Sequence, residues 1–130
     1  MKPEDKELLL KDLCGRQMYN VKCQVFDDTK PYTLSGVLHN KPYSQLYFEE
    51  LDWKEDDGFV NVKYCKPYLF PISSMTEEHK KELQSLIIQD AFGTSDNVYT
   101  QQDFYNKHHI DYRGLIPIGL ANDATGLNIY

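Results

Sequence analysis

The sequence predicts an α+β protein of one domain, residues 1–130. The expected architecture is a small bent antiparallel β-barrel of four to five strands, SH3-like, with an N-terminal helix and two to three C-terminal helices. Three observations predict it. Residues 1–15 open with helix-start residues followed by an apolar stripe. Residues 19–66 hold short runs of alternating apolar and polar residues cut by turn residues. Residues 74–121 carry helical spacing behind two cap signatures. Short strands packed this closely bury both sheet edges by curling into a barrel or a strongly bent sheet. A flat antiparallel sheet with helices on one face is the alternative.

Each element is set by its residues. Pro3 stands at a first helical position, Glu4, Asp5 and Glu7 put negative charge in the first turn, and Gly15 comes after the last periodic residue. Leu9, Leu10, Leu13 and Cys14 fall on one side, the face this helix docks on its own core. In residues 20–26, Val21, Cys23 and Val25 alternate with Lys22 and Gln24 to make the first strand, and residues 27–31 turn. Residues 32–38 alternate through Tyr32, Leu34 and Leu38, with Gly36 where a bulge or sharp bend lets a strand curl. After a turn at residues 40–44, residues 45–49 set Leu46 and Phe48 against Tyr47, residues 51–53 continue that strand, and Asp57-Gly58 turns into the last one.

That last strand alternates Val60, Val62 and Tyr64 with Asn61, Lys63 and Cys65. Because proline cannot donate to a sheet ladder, it is expected to finish by Lys66, with residues 67–72 running extended over the surface. Ser74-x-x-Glu77 reads as the capping box of a helix over residues 76–91, with Leu83, Leu86, Ile87 and Phe92 on its stripe and Gly93 ending it. Thr100-x-x-Asp103 starts another, on which Phe104, Tyr105 and His108 share a face. Asp111 caps a short segment through Leu115 and Ile116, and the tail is a loop whose Leu127, Ile129 and Tyr130 dock back.

Composition narrows the function classes. With 41% hydrophobic and 26% charged residues the chain is of ordinary globular type. Its ten tyrosines need hydroxyl partners in a core or supply aromatic contacts at an interface. A net charge of −6 disfavours nucleic-acid binding, which needs a basic face. Cys14, Cys23 and Cys65 are odd in number and lack metal-ligand spacing, so buried thiols in a reducing cytoplasm are expected. The first residues are too acidic for a secretory signal, and no run approaches the roughly 18 apolar residues of a membrane span. The expected location is cytoplasmic, with no membrane partner.

Three stretches together resemble a known family: residues 6–14, KELLLKDLC; residues 66–78, KPYLFPISSMTEE; and residues 105–116, YNKHHIDYRGLI. They are similar to small uncharacterised proteins of gut bacteria, often encoded in phage-like or other mobile regions. The resemblance covers both ends and the centre of the chain, and residues 27–57 match weakly. Members often carry Trp-Leu near Phe104 and Tyr105, and polar residues where this chain has Pro117 and Ile118. The resemblance implies one cytoplasmic domain of bacterial or phage origin and transfers no catalytic residue.

Two clusters carry whatever chemistry is present. Glu49, Glu50, Asp52, Glu55, Asp56 and Asp57, interrupted by Trp53, are the candidate partner-binding stretch, with Trp53 as an anchor or as the plug of the barrel. His108, His109, Asp111 and Arg113 are the densest polar cluster. Adjacent helical residues point about 100° apart, so the two imidazoles do not share one metal, and His39 and His79 are remote. In the structural reading His108 bonds at a helix end, Asp111 caps the next segment, and Arg113 pairs with a carboxylate. Buried thiols are inert, and the serines sit in no nucleophile elbow. No catalytic, metal-ligating or cofactor-binding residue is assigned, and no cofactor is expected. The leading expectation is a non-enzymatic interaction or regulatory module binding a protein partner. An SH3-like nucleic-acid-binding module, using Lys22, Lys41, Lys63 and Lys66, is the alternative, and a small metal-dependent or hydrolytic enzyme is third.

Overall fold

An N-terminal helix, α1 (Pro3–Arg16), is followed by strands β1 (Lys22–Val25), β2 (Tyr32–Thr33), β3 (Gly36–Asn40), β4 (Tyr43–Tyr47), β5 (Phe59–Asn61) and β6 (Cys65–Pro71). Helices α2 (Glu77–Phe92) and α3 (Gln101–Lys107) come next, and two short strands, β7 (Ile110–Asp111) and β8 (Asn122–Asp123), close the chain. This is the α+β content expected, seen in a computed structural model that describes residues 1–40, 43–51, 55–92 and 99–130.

The strands form two sheets, and among the described residues their ladders do not close into the expected barrel. One sheet runs β2-β1-β6-β7, with β8 also paired to β6; the other runs β3-β4-β5. The strand expected over residues 32–38 is split between them. Leu34 N still donates to Val21 O beside β1, while Ser35 N already donates to Tyr47 O at the end of β4. The chain changes sheets between these two residues, at the bend that Gly36 signalled, and the handover produces two small sheets around one core. That core takes Leu9, Leu10 and Leu13 from α1, Val21, Cys23 and Val25 around β1, Leu46 and Val60 from the second sheet, and Cys65 and Leu69 from β6.

The last expected strand, residues 59–66, is broken by a 3-10 turn (Val62–Tyr64) into β5 and β6, which belong to different sheets, and β6 overturns the expectation that the strand stops before Pro67. Cys65–Pro67 pair antiparallel with β1, Tyr68 and Leu69 pair parallel with β8, and Phe70 and Pro71 pair parallel with β7. Pro67 closes the ladder with β1, since it has no N–H to donate, but the strand continues past it by pairing with β8 and then β7 and ends only at Pro71. Phe70 N, between them, donates to His109 O at 2.8 Å. With Pro67, Tyr68 and Leu69 buried, the supposed surface run is the central strand of its sheet. The tail likewise holds a strand, β8, where a loop was expected, and Ala124 N donates to Leu69 O.

The helices depart from expectation at their ends. Gly15 does not stop α1; a 3-10 turn (Gln17–Tyr19) continues it, and Asn20 at φ 58° ends that turn in the left-handed conformation that asparagine tolerates. Cys14 is exposed, while Cys23 and Cys65 are buried as expected. The buried stripe of α1 runs through Leu9, Asp12, Leu13 and Arg16, positions three and four apart, and Cys14 lies off it. Ser74 does not cap α2, because its Oγ donates to Pro71 O in a 3-10 turn (Ile72–Ser74). Instead Thr76 Oγ1 accepts from His79 N and His79 Nδ1 accepts from Thr76 N, a reciprocal cap two residues later. Leu86 is buried but Ile87, expected beside it, is exposed. The Thr100–Asp103 capping box of α3 forms as the sequence predicts. A second cluster joins Leu86 of α2, Phe104 of α3 and Ile110 of β7.

Candidate functional site

The acidic stretch is only partly described. Glu49 and Glu50 are exposed on a 3-10 turn (Glu49–Leu51), beside a polar cleft of about 400 Å³ shared with Gln17, Asn20 and Ser35. Glu50 Oε1 accepts from Thr33 N at 2.6 Å, so one of these carboxylates anchors strand β2. Asp57 is exposed at φ 51°. The backbone alone is described for Glu55 and Asp56, and Asp52 and Trp53 lie outside the described residues, as does Lys41.

The C-terminal polar cluster does not converge; its four members turn to four different places. His108 faces α2: its Nε2 is 3.3 Å from Glu82 Oε2, and its ring lies 4.4 Å, centroid to centroid, from that of His79. His79 is therefore not remote. The signal that could have found it is the Thr76-x-x-His79 spacing, which turns the imidazole back over the start of its helix. Burial, and then the neighbouring His79, lower the His108 pKa, against the pull of Glu82. The nearby Tyr99 hydroxyl is buried with no hydrogen-bond partner among the described residues, and burial, together with the Glu82 charge, pushes its pKa up to about 12.

His109, at φ 57°, turns the other way and stacks on Tyr130 at 3.8 Å, with 14° between the rings. The Tyr130 hydroxyl accepts from Lys22 N at 2.8 Å and donates to Tyr68 O at 2.7 Å, so Tyr130 docks back as expected and ties β1 to β6, whereas Leu127, expected to dock with it, is exposed. Asp111 caps the turn after it, accepting from Leu115 N (2.8 Å) and Ile116 N (2.9 Å). Arg113 pairs with a carboxylate, Asp12 Oδ1 at 3.1 Å.

That carboxylate belongs to an arrangement sequence reasoning missed. Asp12 and Arg16, both with fully buried side chains, form a two-pronged pair at 2.7 and 3.2 Å, and Arg16 also donates to Ile110 O at 2.7 Å. Tyr112 stacks on Tyr105 and packs against both guanidiniums, 4.8 Å from Arg113 and 5.5 Å from Arg16. The signal was present: Asp12 and Arg16 are four apart and share a side with Leu9 and Leu13. The site is saturated with internal partners, which makes it structural.

Among the described residues, an exposed aromatic pair and a cleft bear on binding. Phe26 is 59% exposed and Tyr64 46% exposed, with ring centroids 5.0 Å apart and Lys63 Nζ 4.9 Å from the Tyr64 ring. Phe26 sits at φ 54°. The second is a cleft of about 340 Å³ between the start of α2, the end of β6 and the tail, lined by Phe70, Thr76, His79, His108, Ile110 and Thr125. Among the described residues no group of three or more His, Cys, Asp or Glu is placed to hold a metal ion, and no helix is long and apolar enough to cross a membrane. No family model, curated protein or solved structure matches the chain.

Proposed function

We propose that the protein is a small non-enzymatic module that binds a protein partner, with the Phe26–Tyr64 pair as the anchor of the interface. The acids Glu49, Glu50, Asp52, Glu55, Asp56 and Asp57 supply its acidic part, with Trp53 among them as a further aromatic contact. Phe26 carries the reading. Burying a phenylalanine stabilises a fold by roughly 1.5–3 kcal/mol, and a bulky residue at positive φ costs about 1–3 kcal/mol. Phe26 forgoes most of the first and bears the second, holding its ring out beside another exposed ring. Exposed aromatics of this kind are the residues that anchor protein interfaces.

The test is a photo-crosslinking residue at position 64 in the source cells, with adducts identified by mass spectrometry. Phe26→Gly relieves the backbone strain and deletes the ring. A specific adduct that disappears in Phe26→Gly, whose stability is equal or higher, is the expected result. An adduct indifferent to Phe26→Gly sinks the assignment.

One arrangement favours nucleic acid as a second reading. Gln24 pairs with Lys66 across β1 and β6, so Lys22, two residues from Gln24, lies on the same sheet face as Lys66. Lys63 and the two exposed rings offer a stacking platform. The net charge of −6 weighs against it. Anisotropy of a labelled single strand separates the two, since binding through phosphates falls steeply with salt.

A further inference from the structure

The cleft beside α2 presents two imidazoles whose hydrogen-bonding roles are fixed from behind. His79 Nδ1 accepts from Thr76 N, so the neutral ring carries its proton on Nε2 and that nitrogen is a donor. His108 Nε2 faces the Glu82 carboxylate, an acceptor only, so its proton sits on Nε2 and Nδ1 is left as an acceptor. Among the described residues neither His79 Nε2 nor His108 Nδ1 has a hydrogen-bond partner, and neither is a buried unsatisfied atom. The two rings, 4.4 Å apart centroid to centroid, both line the cleft and carry one donor nitrogen and one acceptor nitrogen between them. Phe70 and Ile110 give the same cleft an apolar wall, and Thr76 and Thr125 add hydroxyls.

We infer that this cleft binds a small, neutral, planar molecule through a carboxamide or lactam edge, the carbonyl accepting from His79 Nε2 and the N–H donating to His108 Nδ1. The volume, about 340 Å³, is at the small end for ligand sites and suits a single ring. An anion is disfavoured, because the lining holds no lysine or arginine and Glu82 stands behind His108. The lowered His108 pKa keeps its acceptor nitrogen unprotonated at neutral pH. Binding in this cleft is independent of the Phe26–Tyr64 interface, and loss of either leaves the other standing.

Two measurements on the full chain test it. Long-range ¹⁵N–¹H correlation at neutral pH should show both His79 and His108 as Nε2–H tautomers; an Nδ1–H tautomer in either ring overturns the donor–acceptor assignment. Titration with benzamide and 2-pyridone, against benzoate and toluene as mismatched probes, should move the two imidazoles and the Phe70 and Ile110 resonances. The matched probes are expected to bind at least roughly tenfold more tightly than benzoate, the scale of one unmade hydrogen bond. The same probes should lose roughly tenfold or more on His108→Phe, which keeps a ring and removes the acceptor. Benzoate binding as tightly as benzamide, or no response of either imidazole to millimolar matched probe, overturns the proposal. The unsubstituted chain suffices for those two outcomes, so a poorly folded variant does not decide the matter.

Discussion

His109 shows how one residue couples this fold to pH. Burial, together with the charges of Arg16, His108 and Lys22, lowers its pKa to about 4, and its Nδ1 is buried without a partner among the described residues. The unfolded chain takes up the proton near pH 6.5, whereas the folded chain does so only near 4. The contribution is therefore fully present above about pH 6.5 and is lost as pH falls from there to about 4, by on the order of 2–3 kcal/mol. His108, lowered in the same direction, adds to this slope. His109→Asn removes the titrating group and keeps a residue that tolerates φ 57°. It should be less stable at neutral pH, through loss of the Tyr130 stack, yet should show a flatter stability profile between pH 6.5 and 4. Urea midpoints across that range decide it, and an unchanged slope assigns the acid sensitivity elsewhere.

At the scale of elements, the contact between α1 and α3 reverses an ordinary rule. Glycine inside a helix is worse than alanine by about 1 kcal/mol, so Gly15→Ala should stabilise α1. Here a Cβ on Gly15 would lie 2.8 Å from Asn106 Nδ2, and Asn106 is itself buried with its Oδ1 unpartnered among the described residues. Gly15→Ala is expected to destabilise the protein by about 1–3 kcal/mol through overpacking, and Asn106→Ala in the same chain should recover part of the loss. A stabilised Gly15→Ala shows that the helices yield at this contact. The glycine thus marks close approach, whereas its position near the end of a periodic run made it read as a stop signal. Most elements were legible because local rules set them: period-two alternation in β1 and β4, the Thr100–Asp103 box, and the apolar stripe of α1. β6 was not, because its course past Pro67 is sustained by pairing with β7 and β8, about forty residues or more downstream.

The whole molecule is tied at one charged point, and its legibility obeys the same logic. Asp111 and Arg113 had readable local roles, a cap and a carboxylate partner, but the partner, Asp12, lies 101 residues away. Spacing within α1 suggests the Asp12–Arg16 pair, and nothing in the sequence says that pair is driven into the core, or that His79 meets His108 across two helices. Asp12 holds Arg16 at 2.7 Å and Arg113 at 3.1 Å, and Arg16 reaches Ile110 O, so one carboxylate joins α1, β7 and the segment after it. Removing one member of a buried pair leaves an uncompensated charge and costs about 3–5 kcal/mol, a large share of the roughly 5–15 kcal/mol that holds a domain folded. Asp12→Asn, which keeps the shape and removes the charge, is therefore expected to lower the unfolding free energy by that amount, seen as a lower urea midpoint with an unchanged slope. Lys80→Ala, which breaks the exposed Glu77–Lys80 pair at 3.5 Å, should change it by less than about 0.5 kcal/mol. Asp12→Leu combined with Arg16→Met replaces both buried charges with apolar groups and should recover most of the Asp12→Asn loss. If the double variant is no more stable than Asp12→Asn, the network holds the fold through its specific geometry, with Arg113 and the Ile110 carbonyl as the partners left unsatisfied.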